Sequence, residues 1–476
     1  MAQRSGSSKV TAKKINGVPK ANAWLTYDEN KRKEVLGLSE NYKDFLSTHK
    51  TERECVKGAI ELAKAKGYRD LEDYIKSGTP LKAGDKVYHS NMGKALVLYI
   101  IGERPLEEGM KILGAHIDSP RLDLKQVPLY EDAEQAMFDT HYYGGIKKYQ
   151  WVTVPLALHG VVAKKDGSVI EINIGEKDDD PVFEISDLLI HLSSKQIEKK
   201  GDKVIEGEDL NILVGSEPLK DVDANAVRAN ILKILKDKYD IEDDDFLSAE
   251  IEAVPAGRAR DLGLDRSMIA GYGHDDRVCA YTSLIAMLET EKVDRTAACL
   301  LVDKEEIGSV GATGMHSFFF ENSVAELVNL TGDYSELKVR RALANSHMLS
   351  SDVSAAYDAN YWEAFEDMNA AYFGKGIVYN KYTGSKGKSG SNDANAEYMA
   401  KIRAAMDNNG VAFQTAELGR IDIGGGGTIA YIMAKYNMQV IDAGVPVLCM
   451  HAPWEIVSKS DVYEAKQAYI AFLKEI

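Results

Sequence analysis

The chain has 476 residues, a mass of 52.4 kDa, a formal net charge of −16 and an isoelectric point near 5.2. This length exceeds what one hydrophobic core usually serves, so we expect one large domain and a smaller one. The acidic balance lacks the basic surface that nucleic-acid binding requires, so we expect no nucleic-acid partner.

The cysteine pattern and the hydropathy of the chain indicate in which cellular compartment the protein is expected. The four cysteines, Cys55, Cys279, Cys299 and Cys449, are scattered and show no CxxC spacing, which favours reduced, mostly buried thiols over disulfides. Residues 1–14 lack the apolar core of a signal peptide, and no apolar run approaches membrane-spanning length. We therefore expect a cytoplasmic protein with no membrane partner, whose first dozen residues are loosely held.

The first quarter of the chain predicts helices followed by buried strands. Residues 29–71 have a helical pattern, in which Thr51 and Glu54 form a capping box and Gly67 ends the helix. Residues 95–101 and 111–118 are apolar runs typical of buried strands.

The second of these strands ends in two polar residues, His116 and Asp118. Residues two apart in a strand share a face, so a metal-binding imidazole could lie beside a carboxylate that positions it. A strand-end histidine that is only hydrogen-bonded explains the same pattern. The strand alone does not decide between the two.

Residues 126–256 have a different character. Two strand-like runs flank a turn at Lys165-Asp166-Gly167, and Ile170, Ile172 and Ile174 alternate with polar residues, as in a sheet with one wet face. A helix is predicted over residues 224–238. We interpret residues 126–256 as an inserted β-rich domain that covers a site or makes an oligomer contact, and residues 1–125 with 257–476 as the discontinuous main domain.

An α/β pattern resumes after residue 256. Asp275 and Asp276 precede an apolar helical run at residues 278–288, and the short apolar strand 299–302 is followed by Glu305 and Glu306. Asp352 lies in a small-residue segment. Gly424 to Gly427 have neither a Walker nor a GxGxxG spacing, so we interpret them as close backbone packing before a helix at residues 429–435.

The last predicted elements are a strand at residues 439–442, a segment that reaches His451, and a final helix. Ser460 is its predicted N-cap, and Val462, Ala465, Tyr469 and Phe472 form its buried stripe.

Polar residues thus follow several predicted strands or begin a helix: His116 with Asp118, Asp275, Glu305 with Glu306, Asp352, and His451. Two histidines and several carboxylates form a mixed nitrogen and oxygen ligand set suited to zinc, manganese or cobalt. Carboxylates gathered without cations would raise one another's pKa, and bound metals reverse this effect.

Five segments in order resemble the metal-site segments of the aspartyl aminopeptidase family, metallopeptidase family eighteen: GAHIDSPRLDLK, HDDR, KEEIGS, SSD and CMH. HYYGGIKKYQW, at residues 141–151, resembles the bacterial branch. The resemblance spans nearly the whole chain. It implies a mixed sheet flanked by helices, as in zinc aminopeptidases, with the β-rich insertion.

Carried over residue by residue, the resemblance implies two divalent metal ions. Asp275 would bridge them, Glu306 and His451 would complete one site, and His116 and Asp352 the other. Glu305 would be the general base, and Asp118 would orient His116. The resemblance also implies a cis peptide bond between Asp275 and Asp276.

The implied reaction is the removal of the N-terminal residue of a peptide with a free N-terminus, by attack of a metal-activated water. Zinc is the expected metal, with cobalt and manganese as alternatives. The preferred side chain stays open between acidic and neutral or apolar, and Lys381 is a candidate cation for an acidic side chain or an ordinary surface lysine.

Two other functions are compatible with such a ligand set or fold. One is a di-metal deacylase of N-acyl amino acids on the same scaffold, and the other is a non-enzymatic assembly protein, which would be expected to lose the base or a ligand. The resemblance further implies a large homo-oligomer, a dodecamer in known members, in which the inserted domain makes dimer contacts and lends residues to a neighbour's site.

Overall fold

The computed structural model describes residues 21–476, so the N-terminal segment predicted to be loosely held lies outside the described residues. The α-helices of the described chain are α1 Glu29–Thr48, α2 Glu52–Ala65, α3 Leu71–Ser77, α4 Ser194–Ile197, α5 Ala226–Tyr239, α6 His274–Glu289, α7 Phe319–Thr331, α8 Glu336–Ala344, α9 Ala396–Asn408, α10 Ala430–Ala434 and α11 Lys459–Glu475. The strands are β1 Arg69–Asp70, β2 Lys86–Asn91, β3 Ala95–Ile100, β4 Lys111–His116, β5 Arg121–Asp132, β6 Gln135–Tyr143, β7 Leu156–Ala163, β8 Val169–Ile174, β9 Ile212–Gly215, β10 Ala249–Pro255, β11 Arg260–Leu262, β12 Met268–Gly271, β13 Ala297–Val302, β14 His347–Ser350, β15 Ser354–Ala355, β16 Ile377–Asn380, β17 Phe413–Thr415, β18 Gln439–Gly444, β19 Pro446–Leu448 and β20 Glu455–Ser458.

A nine-stranded mixed sheet forms the centre of the molecule, in the order β1-β2-β3-β13-β4-β14-β18-β16-β17. Every residue of β3, β4 and β13 is buried, because helices cover both faces of the sheet. Apolar side chains of α1, α2, α6, α9 and α11 form one core, and those of α3, α7, α8 and α10 form the other. The predicted mixed sheet flanked by helices is confirmed.

Strands β13, β4, β14 and β18 are neighbours and run parallel. Their carboxyl ends therefore meet at one edge of the sheet, which is where ligands bind in open α/β proteins. The end of β4 and the segments that follow β4, β13 and β14 carry five of the predicted site residues: His116, Asp118, Glu305, Glu306 and Asp352.

A second sheet of six strands, in the order β8-β7-β10-β5-β6-β9, is built from strands between Arg121 and Pro255. Its apolar face packs with α5 in a core of its own. The β7–β8 hairpin turns through Gly167, whose φ is +89°, as the Lys165-Asp166-Gly167 pattern predicted. The domain boundaries at residues 126 and 256 stay a prediction.

Two predictions concerned the residues that cap helix ends. The capping box of Thr51 and Glu54 is confirmed. The prediction of Ser460 as the last N-cap is wrong: α11 begins at Lys459, and Ser458 is its N-cap. Strand β20 runs directly into the helix, so the chain turns two residues earlier than the apolar stripe indicated, and the Ser460 Oγ lies 3.0 Å from the Ser458 Oγ.

Other sequence features also agree with the structure. A Cβ on Gly424 would lie 1.7 Å from the carbonyl oxygen of Leu418, and one on Gly425 would lie 2.3 Å from that of Gly384, so the first two glycines of the run pack closely against backbone, whereas nothing lies within 4 Å of a Cβ on Gly427. All four cysteines are free, and only Cys449 is exposed. Among residues 21–476, no helix combines the length and apolar composition needed to cross a membrane.

Candidate metal centre

The predicted site residues other than Lys381 lie together beyond the carboxyl edge of the nine-stranded sheet. His116 ends β4, the pair Glu305 and Glu306 follows β13, and Asp352 follows β14. Asp275 begins α6, and His451 follows β19. Sets of three of these side chains, such as His116 with Glu305 and Asp352, bring ligand atoms within 4.8 Å of one another.

Asp275 lies between the two histidines. Its Oδ1 is 3.2 Å from His116 Nε2, and its Oδ2 is 3.1 Å from His451 Nε2. His451 Nε2 is also 3.5 Å from Glu306 Oε2, and His116 Nε2 is 3.9 Å from Asp352 Oδ1. The carboxylate of Asp275 is therefore shared by two groups of ligand atoms, one around each imidazole. The peptide bond from Asp275 to Asp276 is cis.

Each imidazole is held through its other ring nitrogen. His116 Nδ1 is 3.0 Å from the carbonyl oxygen of Asp118, and His451 Nδ1 is 2.8 Å from that of Gly145. A carbonyl oxygen only accepts, so in each ring Nδ1 carries a hydrogen, and Nε2 is the nitrogen that faces Asp275 and can bind a metal once it has lost its own proton. This is the tautomer that a metal ligand needs.

Asp118 is buried and accepts three hydrogen bonds. The backbone N–H of Glu305 donates to Oδ1 at 3.1 Å, the backbone N–H of Glu306 to Oδ2 at 3.1 Å, and the hydroxyl of Tyr143 to Oδ2 at 2.9 Å. Asp118 Oδ1 also lies 3.3 Å from His116 Nδ1. Asp118 thus connects the end of β4 to the turn that carries both glutamates.

Sequence reasoning missed three contributors. Tyr143 and Gly145 appeared only within the HYYGG run, and nothing in the run indicated which residue faces the site. Glu455 is buried, accepts the backbone N–H of His451 at 2.7 Å and accepts that of Asp275 at 2.9 Å. Its only signal in the sequence is an acid that follows HAPW.

Burial perturbs the titration of the cluster. It raises the pKa of Glu306 and of Asp352 well above the ordinary carboxyl range, and neighbouring carboxylates add to the effect. Burial also raises the pKa of Glu305 to about 7. It would lower the pKa of His451, but the hydrogen bond and charge of Asp275 raise that pKa to about 10.

These residues fit divalent metal ions. Glu306 Oε1 is buried and has no hydrogen-bond partner within the described part of the chain. Nearby carboxylates repel one another in a buried site, and a divalent cation removes that repulsion. Imidazole nitrogens together with carboxylate oxygens are ligands that zinc accepts.

Lys381 follows β16, and its side chain is 43% exposed and forms an ion pair with Asp393. A cleft of about 320 Å³ begins at the next residue, Tyr382, and is also lined by Lys386, Lys388 and Arg420. The structure therefore places Lys381 beside a cationic cleft rather than within the histidine and carboxylate cluster.

The chain matches one protein family over nearly its whole length. The family model described as aminopeptidase I zinc metalloprotease (M18) matches residues 45–473. A probable M18 family aminopeptidase 1 of Clostridium acetobutylicum is 62% identical over 453 residues, covering 95% of this chain and 97% of the relative. A probable M18 family aminopeptidase 1 of Thermotoga maritima is 42% identical, and the match covers 96% of this chain and 99% of the relative.

Solved structures agree. The M18 aminopeptidase of Thermotoga maritima has a TM-score of 0.92 at 41% identity, covering 96% of this chain and all of that chain. Aminopeptidase I of Clostridium acetobutylicum has a TM-score of 0.89 at 59% identity, covering 96% and 99%. The mApe1 dodecamer of S. cerevisiae, at 20% identity and a TM-score of 0.73, covers 91% and 96% and shares the fold.

Proposed function

The chain belongs to the aminopeptidase I zinc metalloprotease (M18) family and is a metallo-aminopeptidase, a hydrolase acting on peptide bonds; we propose that it removes the N-terminal residue of peptides at a centre of two divalent metal ions, with Glu305 as general base. The observation that carries this proposal is the position of Asp275, whose two carboxylate oxygens face different imidazoles at 3.2 and 3.1 Å. A carboxylate between two imidazoles can bridge two ions.

The proposed ligands divide into two sites that share Asp275. His451 and Glu306 complete one site, and His116 and Asp352 the other, as their distances of 3.5 and 3.9 Å support. Zinc is the metal of the family, and the nitrogen and oxygen ligands also suit cobalt or manganese.

The ions would supply Lewis acidity, lowering the pKa of a water molecule and polarising the first peptide carbonyl of the substrate. Glu305 accepts the proton of the attacking water and delivers it to the departing amine. Burial raises the pKa of Glu305 to about 7, and bound cations would lower it again, which keeps Glu305 ionised and able to accept a proton. Asp118 holds the backbone of Glu305 and so sets where the base lies.

The side-chain preference of the enzyme has two candidate answers. Lys381 could pair with an acidic N-terminal residue, but it is already paired with Asp393, so an acidic substrate would have to share or displace that contact. If Lys381 binds substrate, Lys381→Met lowers kcat/KM for Asp and Glu substrates only. Equal effects on Leu and Asp substrates would make it a surface lysine.

We also propose that the chain forms a homo-oligomer. Apolar side chains are exposed between residues 182 and 197, beside the six-stranded sheet: Val182, Leu188, Leu189, Ile190, Leu192 and Ile197. So many large apolar groups close together in one segment mark a protein interface. Light scattering should give a mass of at least two chains of 52.4 kDa each. A fully active monomer would contradict the proposal.

The reaction is tested with free-amine aminoacyl reporter substrates on chelator-stripped protein, before and after addition of zinc, manganese or cobalt. Activity restored by metal supports the proposal, and the ranking of Asp, Glu, Leu and Met substrates gives the preference. The same reporters with an acetylated amine are the control. Release of acetate from the blocked substrates, with no release of the reporter from the free-amine substrates, would instead favour the deacylase.

Glu305→Gln tests the assigned base. The substitution keeps the size of the side chain and removes its ability to take a proton, so we expect kcat to fall about 10²–10⁴-fold with zinc still bound. Glu103→Gln, at an exposed loop position, is the matched control. If Glu305→Gln hydrolysed the reporters as fast as the control variant, the mechanism would be wrong.

A further inference from the structure

The segment Tyr143-Gly144-Gly145, at the end of β6, lies against the candidate metal centre at three points. The hydroxyl of Tyr143 donates to Asp118 at 2.9 Å, and the carbonyl of Gly145 faces His451 Nδ1 at 2.8 Å. Gly144 lies against Glu306. We call these three residues the YGG segment.

The ring of Tyr143 is fixed in place. The side chain is 8% exposed, and the guanidinium of Arg121, the cross-strand partner of Tyr143, lies 3.8 Å from the ring centroid. Arg121 is itself anchored by ion pairs with Asp123 at 2.8 Å and Glu252 at 3.2 Å. The hydroxyl therefore has a defined position when it donates to Asp118.

The two glycines allow the backbone of the YGG segment to lie close to Glu306 and His451. A Cβ on Gly144 would lie 3.1 Å from Glu306 Oε2, and the φ of Gly144 is +78°. A Cβ on Gly145 would lie 3.4 Å from His451 Nδ1. A side chain on Gly144 would therefore press on Glu306, whereas a Cβ on Gly145 would only come into contact with His451.

We infer that the YGG segment is a positioning element of the metal centre, by which the six-stranded sheet sets the geometry of its own chain's catalytic edge. Tyr143 fixes Asp118, and Asp118 in turn fixes the backbone N–H groups of Glu305 and Glu306. Gly145 fixes the tautomer and orientation of His451. The inference rests on the proposed function, because it takes Glu305 as the base and Glu306 and His451 as ligands.

The first test is Tyr143→Phe, which removes a single hydroxyl. We expect the zinc Kd, measured by competition with a chromophoric chelator, to rise about tenfold, because groups that hold metal ligands typically change affinity by 10- to 100-fold. We expect kcat to fall about tenfold with KM within about twofold, since the substrate itself is not contacted. The matched control is Tyr130→Phe, in the same β5–β6 hairpin, whose hydroxyl accepts from Asn211.

A second pair of variants separates contact with the site from backbone strain. Gly144→Ala and Gly167→Ala both place a side chain at a positive φ, +78° and +89°, but nothing lies within 4 Å of a Cβ on Gly167. We expect Gly144→Ala to weaken zinc binding by about tenfold and Gly167→Ala to leave it unchanged. This pair also serves if Tyr143→Phe fails to fold.

Failure of the proposed function and failure of the inference about the YGG segment give different experimental results. If the wild-type protein hydrolyses no free-amine substrate, the proposed function fails, while chelator competition still reports on the YGG segment. A merely structural role would lower the thermal midpoint of Tyr143→Phe without changing its zinc Kd or kcat. The inference is overturned if Tyr143→Phe matches Tyr130→Phe, or Gly144→Ala matches Gly167→Ala, in both measurements.

Discussion

His159 makes the stability of this protein depend on pH at a place remote from the metal centre. Its buried ring, on β7, lies between two carboxylates, with Nδ1 2.8 Å from Glu54 Oε1 and Nε2 3.1 Å from Glu176 Oε1. The ammonium of Lys50 pairs with Glu176 at 2.5 Å. Burial opposes protonation, but hydrogen bonds to Glu176 and Glu54 raise the pKa of His159 above its ordinary value. The protonated ring therefore joins α2 to the six-stranded sheet.

The direction of the pH dependence follows from the raised pKa of His159. A group whose pKa is higher in the folded state contributes its full stabilisation below its unfolded pKa, about 6.5, and loses it as the pH rises through the folded value. We expect His159→Asn to cost about 3 kcal/mol at pH 6, the lower figure for breaking a buried ion pair, because Glu54 and Glu176 are partly exposed. The cost should shrink by up to about 1.4 kcal/mol per pH unit above 6.5.

Thermal unfolding followed by circular dichroism measures this cost. An unfolding entropy of about 2.1 cal/mol/K per residue gives about 1 kcal/mol/K for the 476-residue chain, so His159→Asn should lower Tm by about 3 °C at pH 6 and by less at pH 9. His316→Asn, at an exposed histidine outside the proposed oligomer interface, is the control. A difference from wild type that is the same at pH 6 and pH 9 would refute the assignment of a protonated His159.

Three further predictions concern other parts of the molecule. Glu455→Gln leaves a buried N–H of Asp275 or His451 without an acceptor, so we expect a loss of about 1–3 kcal/mol in unfolding free energy and weaker zinc binding by chelator competition; an unchanged zinc Kd would contradict its role. Leu300→Ala, at a fully buried position of β13, should lower the unfolding free energy by about 2–5 kcal/mol in urea titrations, and a loss under 1 kcal/mol would show that the core closes around the gap. Cys449 is the exposed cysteine, so a thiol reagent should label it alone in the native protein, and rapid native labelling at any buried cysteine would be evidence against this packing.

Periodic and local signals in the sequence predicted several central strands and about half of the helices. The runs at residues 95–101, 111–118 and 299–302 are strands because unbroken apolar segments of that length suit a sheet covered on both faces. The Ser460 cap failed because two serines two residues apart both satisfy the N-cap preference, and the tertiary path of β20 decides between them.

The site residues could be proposed because polar residues follow buried strands, a local pattern. Tyr143, Gly145 and Glu455 could not be, because each acts through a contact with a residue distant in sequence: Tyr143 with Asp118, and Gly145 with His451. Which atom of Glu455 meets which backbone N–H depends on the pairing of β12 with β20, which no local pattern encodes.

The proposed ligands come from widely separated parts of the chain and meet only at the edge of the folded sheet, because β4 pairs with β13 and β14, and His451 follows them all. A chain still being synthesised has His116 long before it has His451. It therefore carries no complete metal centre with which to attack neighbouring peptides. The same arrangement means that unfolding of any element that positions a ligand would take the proposed centre apart, so the activity depends on elements from widely separated parts of the chain.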